Sequence, residues 1–215
     1  MKLGILGGTF NPPHIGHLRL AEETACVHGL ERILFMPCYT PPHKTHGEIA
    51  AAHHRLDMTR LACEDNAAFE ASDMEIARRE TSYTVVTLEI LKQRGDCECY
   101  FIIGTDSLAE IHTWRECHRL FSLSNFICVQ RPSHPFGSAW SRVPEAIRSR
   151  FTARGNRLYH TDGDTVLIPS EVMGLDVSST RIRNLIKESI SIRYLVPESV
   201  RRYMVQHNLY GKGAA

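Results

Sequence analysis

The most constraining feature of this sequence is the alternation of short apolar runs with segments of helical periodicity. Apolar runs that lead into glycine or proline predict strands at 2–6, 32–36, 100–103, 125–130 and 165–168. Apolar residues spaced three or four positions apart predict helices at 15–28, 49–65, 84–94, 178–187 and 197–207. This alternation is typical of β-α-β units. We therefore predict an α/β fold, with a doubly wound, mainly parallel sheet and helices on both faces.

The domain organisation follows from length and from the absence of any break in the pattern. The 215 residues contain no internal repeat, no low-complexity tract and no linker, so we predict a single domain over 1–215, with a helical part at about 178–210. Residues 132–163 are rich in Pro, Gly, Ser and Arg and predict no clear element. In such sheets ligands bind beyond the carboxyl ends of the strands, which here are the loops 7–14, 37–44 and 104–114.

Charge and cysteine content exclude several classes of protein. The 25 basic and 24 acidic residues leave a net charge of +1, which gives no overall field to hold nucleic acid or an anionic membrane. No apolar run approaches the ~20 residues that span a bilayer, and the apolar start is too short for a signal peptide. Seven cysteines without a CxxC pair fit reduced thiols better than a disulfide framework. We expect a cytoplasmic protein that binds neither nucleic acid nor membrane.

The first motif follows the first predicted strand and reads Gly7-Gly8-Thr9-Phe10-Asn11-Pro12-Pro13-His14-Ile15-Gly16-His17. His14 and His17 are three positions apart, so both side chains can face the same side of a helix N-terminus, with bare backbone at Gly16 beside them. The N–H groups and positive dipole end of a helix favour an anion there. Two imidazole donors suit a phosphate whose charge grows in a transition state. Because a positive helix end disfavours imidazolium, we expect neutral donors more than bases.

The alternative interpretation of this motif is an ordinary strand-to-helix turn with surface histidines. A strand, a glycine pair and HxGH at a helix start together make that alternative the weaker one. The sequence contains no GxxxxGK[ST], which excludes a P-loop enzyme. It also has no GxGxxG after the first strand, which disfavours a dehydrogenase-type cofactor site.

The second motif combines the hydroxyls of Ser178, Ser179 and Thr180 with Arg183. Hydroxyls at a helix start cap N–H groups and can also donate to phosphate. Arg183 lies one turn beyond Thr180 on the same face, and a guanidinium offers paired donors to phosphate oxygens. The alternative is a well-capped amphipathic helix with a surface arginine. The presence of the first motif favours the phosphate-binding interpretation.

A loop stiffened by proline carries Lys44, in Pro41-Pro42-His43-Lys44. A lysine here can bind the phosphate group of a ligand, although most lysine side chains are simply solvated. His43, His46 and the pair His53-His54 have no Cys or carboxylate partners at ligand spacing, so we predict no metal held by the protein.

A third group of candidates lies in the middle of the chain. Ser82 or Thr84 could cap the helix that follows, which by itself explains both residues. Trp114 lies among polar residues, unlike a core tryptophan, and such aromatic residues often mark binding sites. Asp106 follows a strand and Gly104, a suitable place for a carboxylate that accepts from ribose hydroxyls, with a helix N-cap as the alternative.

The sequence resembles the nucleotidyltransferase form of the HxGH superfamily. GGTFNPPHIGH at 7–17 matches its first motif, and VSSTRIR at 177–183 matches its second. More specifically, the chain is similar to bacterial nicotinate-nucleotide adenylyltransferases in the stretches PPHK at 41–44, SYT at 82–84, FIIGTDSL at 101–108 with Trp114, and YLVP at 194–197. The departures are Asn11, where many members carry Asp, and the unusual lead-in at 171–176.

This resemblance implies a Rossmann-like fold and a specific reaction. The family transfers AMP from ATP to nicotinate mononucleotide, giving nicotinate adenine dinucleotide and pyrophosphate. It implies that His14 and His17 meet the α-phosphate and that the helix at 178–187 holds the β- and γ-phosphates. It further implies that the turn around Tyr83 reads the nicotinate carboxylate and that Trp114 stacks on the pyridine ring.

The resulting set of expected site residues falls into three groups. The catalytic residues are His14, His17, Lys44 and Arg183. The ATP-binding residues are Gly7, Gly8, Thr9, Phe10, His14, Gly16, His17, Gly104, Asp106, Ser178, Ser179, Thr180 and Arg183. The mononucleotide-binding residues are Lys44, Ser82, Tyr83, Thr84, Asp106 and Trp114.

Cofactor and partner expectations follow from the same reasoning. No acidic cluster is suited to caging Mg²⁺, so we expect the ion to arrive on the phosphates of ATP. The partners are ATP and nicotinate mononucleotide, and a homo-oligomer is compatible with the sequence. Two alternatives stay open: another HxGH transferase with nicotinamide mononucleotide or phosphopantetheine as acceptor, and a nucleotide-binding module without turnover.

Overall fold

A computed structural model describes residues 1–41, 49–130 and 135–211. The strands within these ranges are β1 (Lys2–Gly8), β2 (Arg32–Pro37), β3 (Phe69–Ala71), β4 (Glu98–Gly104), β5 (Asn125–Gln130), β6 (Phe151–Arg154), β7 (Arg157–His160) and β8 (Val166–Glu171). The helices are α1 (Ile15–His28), α2 (Ala52–Cys63), α3 (Met74–Arg78), α4 (Thr84–Arg94), α5 (Thr105–Ala109), α6 (Cys117–Leu123), α7 (Phe136–Arg142), α8 (Glu145–Arg148), α9 (Ser179–Lys187) and α10 (Glu198–Gln206). A 3₁₀ turn occupies Ile111–Thr113.

The sheet topology confirms the predicted α/β class. The strands run in the order β3-β2-β1-β4-β5-β8-β7-β6. The pairs β2–β3, β1–β4, β4–β5 and β5–β8 are parallel, and the pairs β6–β7 and β7–β8 are antiparallel. The order changes direction between β1 and β4, and ligands of doubly wound sheets bind beyond the carboxyl ends of the strands at such a switch point.

The described residues divide into two compact units of interleaved segments. The first unit comprises Met1–Gly7, Thr24–Arg32 and Ser82–Met173, and the second comprises Gly8–Glu23, Ile33–Thr81 and Gly174–Ala215. The prediction of one domain over 1–215 stays a prediction. None of the helices that the structure describes is both long enough and apolar enough to cross a membrane.

The core of the first unit is built on its central strands. Tyr100 of β4 is aligned with Asn125 of β5 in parallel register. Successive residues of both strands are buried, as expected for a parallel sheet covered on both faces. The fully buried side chains here include Phe126, Ile127 and Cys128. These strands therefore form a rigid base for the residues that follow β4.

The core of the second unit is helical and lies among α2, α9 and α10. Its buried residues are Met58, Ala62, Ile182, Ile186, Ile192, Val196, Val200 and Met204. Successive turns of α9 contribute Ile182 and Ile186, which is the spacing that places two side chains on one helix face. Burial of this face fixes the orientation of α9, and with it the direction in which Arg183 points.

Several predicted boundaries are correct and others shift. Helix α1 spans the predicted 15–28 and ends at Gly29, whose φ of +62° is the left-handed conformation that glycine adopts without strain. Helix α4 and strand β5 also have the predicted bounds. The helix predicted at 49–65 is shorter, because the chain before Ala52 is extended at Ala51. The region 132–163, for which the sequence predicted no element, contains α7, α8, β6 and β7.

Candidate functional site

The loop that follows β1 brings an aromatic ring beneath the first histidine motif. Phe10 is buried and has a φ of +47°. Its ring meets the ring of His17 edge-on, with centroids 5.0 Å apart. A Cβ atom on Gly8 would lie 3.2 Å from the Phe10 ring, a contact tighter than side chains normally make. Gly8 is therefore required by the position of Phe10, and Phe10 in turn supports His17.

His14 and His17 form a local capping arrangement at the start of α1. The backbone N–H of His14 donates to Nδ1 of His17 at 3.2 Å, and the backbone N–H of His17 donates to the carbonyl of His14 at 2.9 Å. The first of these contacts is the one that the Glu of a capping box makes, in which a side chain at N3 accepts from the backbone N–H of the N-cap residue. Because Nδ1 of His17 accepts a hydrogen bond, the proton of the neutral ring lies on Nε2.

Gly16 allows the two imidazoles to lie together. The His14 ring is 6% exposed and stacks on the His17 ring, with centroids 3.6 Å apart and an interplanar angle of 27°. A Cβ atom on Gly16 would lie 3.0 Å from Nδ1 of His14. The glycine of HxGH thus has a packing role, since any side chain here would displace the His14 ring.

The second motif is tied to the first by two side chains of α9. Ser179 donates its hydroxyl hydrogen to the carbonyl of Pro12 at 2.8 Å. Arg183 donates from Nη1 to the carbonyl of Asn11 at 2.9 Å and from Nη2 to Oγ1 of Thr180 at 3.3 Å. The two motifs that the sequence places 160 residues apart therefore meet at residues 11 and 12.

The three hydroxyls of the second motif make different hydrogen bonds. Ser178 is the N-cap of α9, where its hydroxyl oxygen accepts from the backbone N–H of Arg181 at 3.2 Å. The capping prediction is thus confirmed for Ser178. The hydroxyl of Ser179 uses its one hydrogen on Pro12, whereas the Thr180 oxygen accepts from Arg183. A hydroxyl that accepts in this way can still donate its own hydrogen.

Asn11 and Tyr210 make a contact beside the first motif that the sequence did not indicate. The side-chain oxygen of Asn11 accepts from the hydroxyl of Tyr210 at 2.6 Å and from the backbone N–H of Ala50 at 3.0 Å. Burial raises the pKa of Tyr210, so its hydroxyl stays protonated and donates. An oxygen acceptor is all that these two donors require, and the side-chain amide of Asn11 supplies it.

In the first unit, the SYT stretch lies at the N-terminus of α4. The N-cap position is occupied by Tyr83, whose side chain makes no capping hydrogen bond, so neither Ser82 nor Thr84 is the N-cap residue. The backbone N–H groups in the first turn of a helix have no acceptor within the helix. The guanidinium of Arg115 lies over the Tyr83 ring, 4.8 Å from its centroid. This brings the segment that carries Trp114 next to the SYT turn.

Trp114 and Asp106 lie on the segment that follows β4. Trp114 is half-buried and meets the Phe101 ring edge-on, with centroids 6.3 Å apart at 88°. A Cβ atom on Gly7 would lie 3.3 Å from the same Phe101 ring, which explains a glycine at the end of β1. Asp106 is exposed in the first turn of α5, whose N-cap is Gly104. The N-cap alternative for Asp106 is therefore wrong.

Two further expectations concern Lys44 and a metal site. Lys44 lies outside the described residues. Within 1–41, 49–130 and 135–211, no group of three or more His, Cys, Asp and Glu side chains is arranged to hold a metal ion. The seven cysteines all lie in described segments and none forms a disulfide.

Comparison with known proteins gives one family for the whole chain. A cytidylyltransferase-like family model matches residues 5–185. The "Probable nicotinate-nucleotide adenylyltransferase" of Geobacter sp. (strain M21) is 46% identical over 214 residues, which cover 98% of this chain and 98% of that protein. The protein of the same name from Desulfatibacillum aliphaticivorans is 43% identical, covering 98% of this chain and 100% of its own.

A solved structure has the same fold at much lower sequence identity. The Plasmodium falciparum nicotinic acid mononucleotide adenylyltransferase complexed with NaAD superposes with a TM-score of 0.74 at 18% identity, over 97% of each chain. This confirms the Rossmann-like fold of the present chain.

Proposed function

The chain belongs to the cytidylyltransferase-like family and, within it, to the nicotinate-nucleotide adenylyltransferases, and from this we propose that it transfers AMP from ATP to nicotinate mononucleotide in NAD biosynthesis. The products are nicotinate adenine dinucleotide and pyrophosphate. Relatives at 40–46% identity over nearly the whole chain support the choice of acceptor. The structural observation that carries the proposal is the joining of the two motifs, since Arg183 and Ser179 bind the same loop that leads into His14.

The reaction needs no nucleophilic side chain. An oxygen of the mononucleotide 5′-phosphate bonds to the α-phosphorus of ATP, and the bond from that phosphorus to the pyrophosphate oxygen breaks. Because the attacking group is already an anion, the protein contributes positioning and stabilisation of charge. His17 donates from Nε2, the nitrogen that its contact with the His14 backbone leaves protonated. The N-terminus of α1 and the stacked ring of His14 complete the α-phosphate site.

The β- and γ-phosphates of ATP are assigned to the start of α9. Arg183 already lies beside Thr180 there, so a guanidinium and a hydroxyl converge at one helix N-terminus. Ser178 and Ser179 hold this helix start in place through the cap and the bond to Pro12. Gly7, Gly8, Thr9 and Phe10 form the turn beneath the histidines, and Lys44 is proposed to meet a substrate phosphate.

The mononucleotide is assigned to residues of the first unit. The N–H groups at the start of α4, around Tyr83 and Thr84, suit the carboxylate of nicotinate, and Ser82 directly before them is assigned to the same site. Trp114 offers an aromatic face to the pyridine ring. Asp106, after Gly104, is exposed and able to accept from ribose hydroxyls of either nucleotide.

The proposal also covers the metal ion, the cellular compartment and the oligomeric state. Mg²⁺ enters with ATP as part of the substrate, with water completing its shell, since the ion keeps several waters when it is bound to phosphates. Seven cysteines without a disulfide support a reducing compartment, and we propose the cytoplasm. A homo-oligomer is compatible with the proposal and is not needed for it.

The test is pyrophosphate release with ATP and a panel of acceptors. Nicotinate mononucleotide is expected to exceed nicotinamide mononucleotide by at least about a hundredfold in kcat/KM, because the carboxamide turns N–H donors toward backbone N–H donors. Phosphopantetheine is expected to give no release. Comparable values for the two mononucleotides would indicate a general pyridine-nucleotide adenylyltransferase. No release with any acceptor would indicate a nucleotide-binding module.

A further inference from the structure

A buried arginine outside both motifs holds the backbone of the site. Arg55 of α2 is 1% exposed, and its guanidinium donates to four backbone carbonyls. Nη1 bonds to the carbonyls of Thr9 at 2.9 Å and Cys38 at 2.6 Å, Nη2 to that of Tyr39 at 2.6 Å, and Nε to that of Ala50 at 3.0 Å. One planar group thus joins three separate segments of the chain.

Burying an arginine at this position has an unfavourable free energy. Arginine is almost never fully buried unless paired, because removing a charge from water costs several kcal/mol. Even a buried ion pair can often be replaced by apolar residues of similar volume without loss of stability, so charge by itself does not explain an arginine here. The position therefore requires a particular geometry of donors. The guanidinium is a rigid fork with its N–H donors in one plane, and neither an apolar side chain nor the point charge of lysine reproduces it.

The segments that Arg55 joins are themselves cross-linked. The backbone N–H of Cys38 donates to the carbonyl of Gly8 at 3.0 Å. The backbone N–H of Ala50 donates to the side-chain oxygen of Asn11 at 3.0 Å. Together with Arg55, these bonds fix the peptide groups on either side of Thr9.

Thr9 is the residue through which this network reaches the histidines. It is followed by Phe10, whose φ of +47° is unusual for a residue with a side chain, and whose ring supports His17. A shift of the Thr9 carbonyl would move Phe10 and then the imidazole of His17. Misplacement by about 1 Å can cost a reaction as much as 10²-fold in rate.

We propose that Arg55 is a positioning residue for AMP transfer, acting through Thr9 and Phe10 on the imidazole of His17. The proposal rests on the proposed function, in which His17 stabilises the transition state. It goes beyond a role in folding, because it requires that the loss on altering Arg55 be transmitted through one particular side chain.

The test uses Arg55→Lys, which keeps the charge and loses the fork, with Arg60→Lys as the matched control. Arg60 lies on the same helix, is exposed, and contacts the carboxylate of Asp57 at 3.4 Å. Arg55→Lys is expected to lower kcat at least about tenfold with a much smaller change in KM for ATP. Arg60→Lys is expected to leave both unchanged. Assays are made well below the melting temperature of each variant.

A double-mutant cycle separates positioning from general stabilisation. If Arg55 acts through His17, Arg55→Lys in a His17→Ala background lowers kcat by less than about threefold, since the group it positions is gone. Additive losses in the cycle, an unchanged kcat for Arg55→Lys, or failure of that variant to fold at any temperature would each overturn the proposal. An inactive unmodified protein would instead overturn the proposed function.

Discussion

The imidazole of His14 lies on that of His17 with ring centroids 3.6 Å apart, and the backbone N–H of His14 donates to Nδ1 of His17. The helix cap and the proposed catalytic donor are therefore the same side chain. The contact fixes the ring orientation of His17 and determines which nitrogen carries the proton. Protonating Nδ1 would place one donor against another, so the arrangement favours a neutral imidazole that donates from Nε2.

Replacing His17 with Ala is expected to lower kcat by about 10²–10³-fold, the loss measured when a single transition-state donor is removed elsewhere. Binding of ATP should change much less, because the contact strengthens only in the transition state. Steady-state kinetics and ATP titration check both parts. His118→Ala, at an exposed position, is the control. A wild-type kcat for His17→Ala at saturating substrates would remove His17 from the mechanism.

Gly16→Ala is expected to separate stability from activity. Alanine in a helix is about 1 kcal/mol more favourable than glycine, so the melting temperature should hold or rise. The new Cβ would crowd Nδ1 of His14, however, and kcat should fall about tenfold. Gly137→Ala in α7, where an added Cβ meets nothing within 4 Å, is the matched control and should leave kcat unchanged. Equal activity of the two variants would contradict this packing role.

Arg183→Lys is expected to weaken the enzyme although it keeps the charge. The three donors of a lysine ammonium lie on one nitrogen, so lysine does not reproduce the separate Nη1 and Nη2 donors that reach the carbonyl of Asn11 and the hydroxyl of Thr180. We expect a raised KM for ATP or a lowered kcat, with unchanged circular dichroism. Arg181→Lys, exposed on the same helix, controls for charge placement and should behave as the unmodified protein. Identical kinetics for the two variants would argue against a paired contact.

Trp114→Ala is expected to raise KM for nicotinate mononucleotide and to leave KM for ATP nearly unchanged. Stacking of a base on an aromatic side chain contributes about 1–3 kcal/mol. Trp114→Phe keeps a smaller aromatic face, so its KM for nicotinate mononucleotide should lie between those of the unmodified protein and Trp114→Ala. Measuring both KM values for each variant checks the assignment. An equal rise in both would place Trp114 outside the mononucleotide site.

Folding stability is expected to fall as the solution becomes more acidic. Burial, with the nearby charges of Arg157 and Lys2, lowers the pKa of His28, whose Nε2 lies 2.8 Å from the hydroxyl of Ser170. The folded state thus binds a proton more weakly than the unfolded chain does. The stability that His28 contributes is present above the ordinary pKa of about 6.5 and is lost as pH falls.

The check is the melting temperature across the range of about pH 7.5 to about pH 5. His28→Gln keeps a hydrogen-bonding group without a titrating one and should show a smaller decrease. Some decrease will remain, because burial also lowers the pKa of His54 and His160. The same decrease in both proteins would show that His28 does not contribute.

Local patterns predicted the elements that local interactions determine. Helix α1 follows from its apolar spacing and from Gly29, and the capping serine of α9 was recognisable from a hydroxyl at the helix start. The region 132–163 was not predictable in this way, because its short helices and the β6–β7 pair depend on packing and on pairing with β8. Its high content of Pro, Gly and Ser hid that dependence.

The sequence by itself determined the fold class, the two motifs and the family, since each depends on residues close together along the chain. Only the tertiary structure decided how those motifs work: that Arg183 and Ser179 bind the loop at Asn11 and Pro12, and that Gly16 makes room for the His14 ring. It also decided that Arg55, unremarkable in a helical pattern, bonds to four backbone carbonyls in three segments of the chain. The physical reason is that backbone carbonyls are present at every residue. No side-chain pattern therefore indicates which of them a buried guanidinium will reach once the chain has folded.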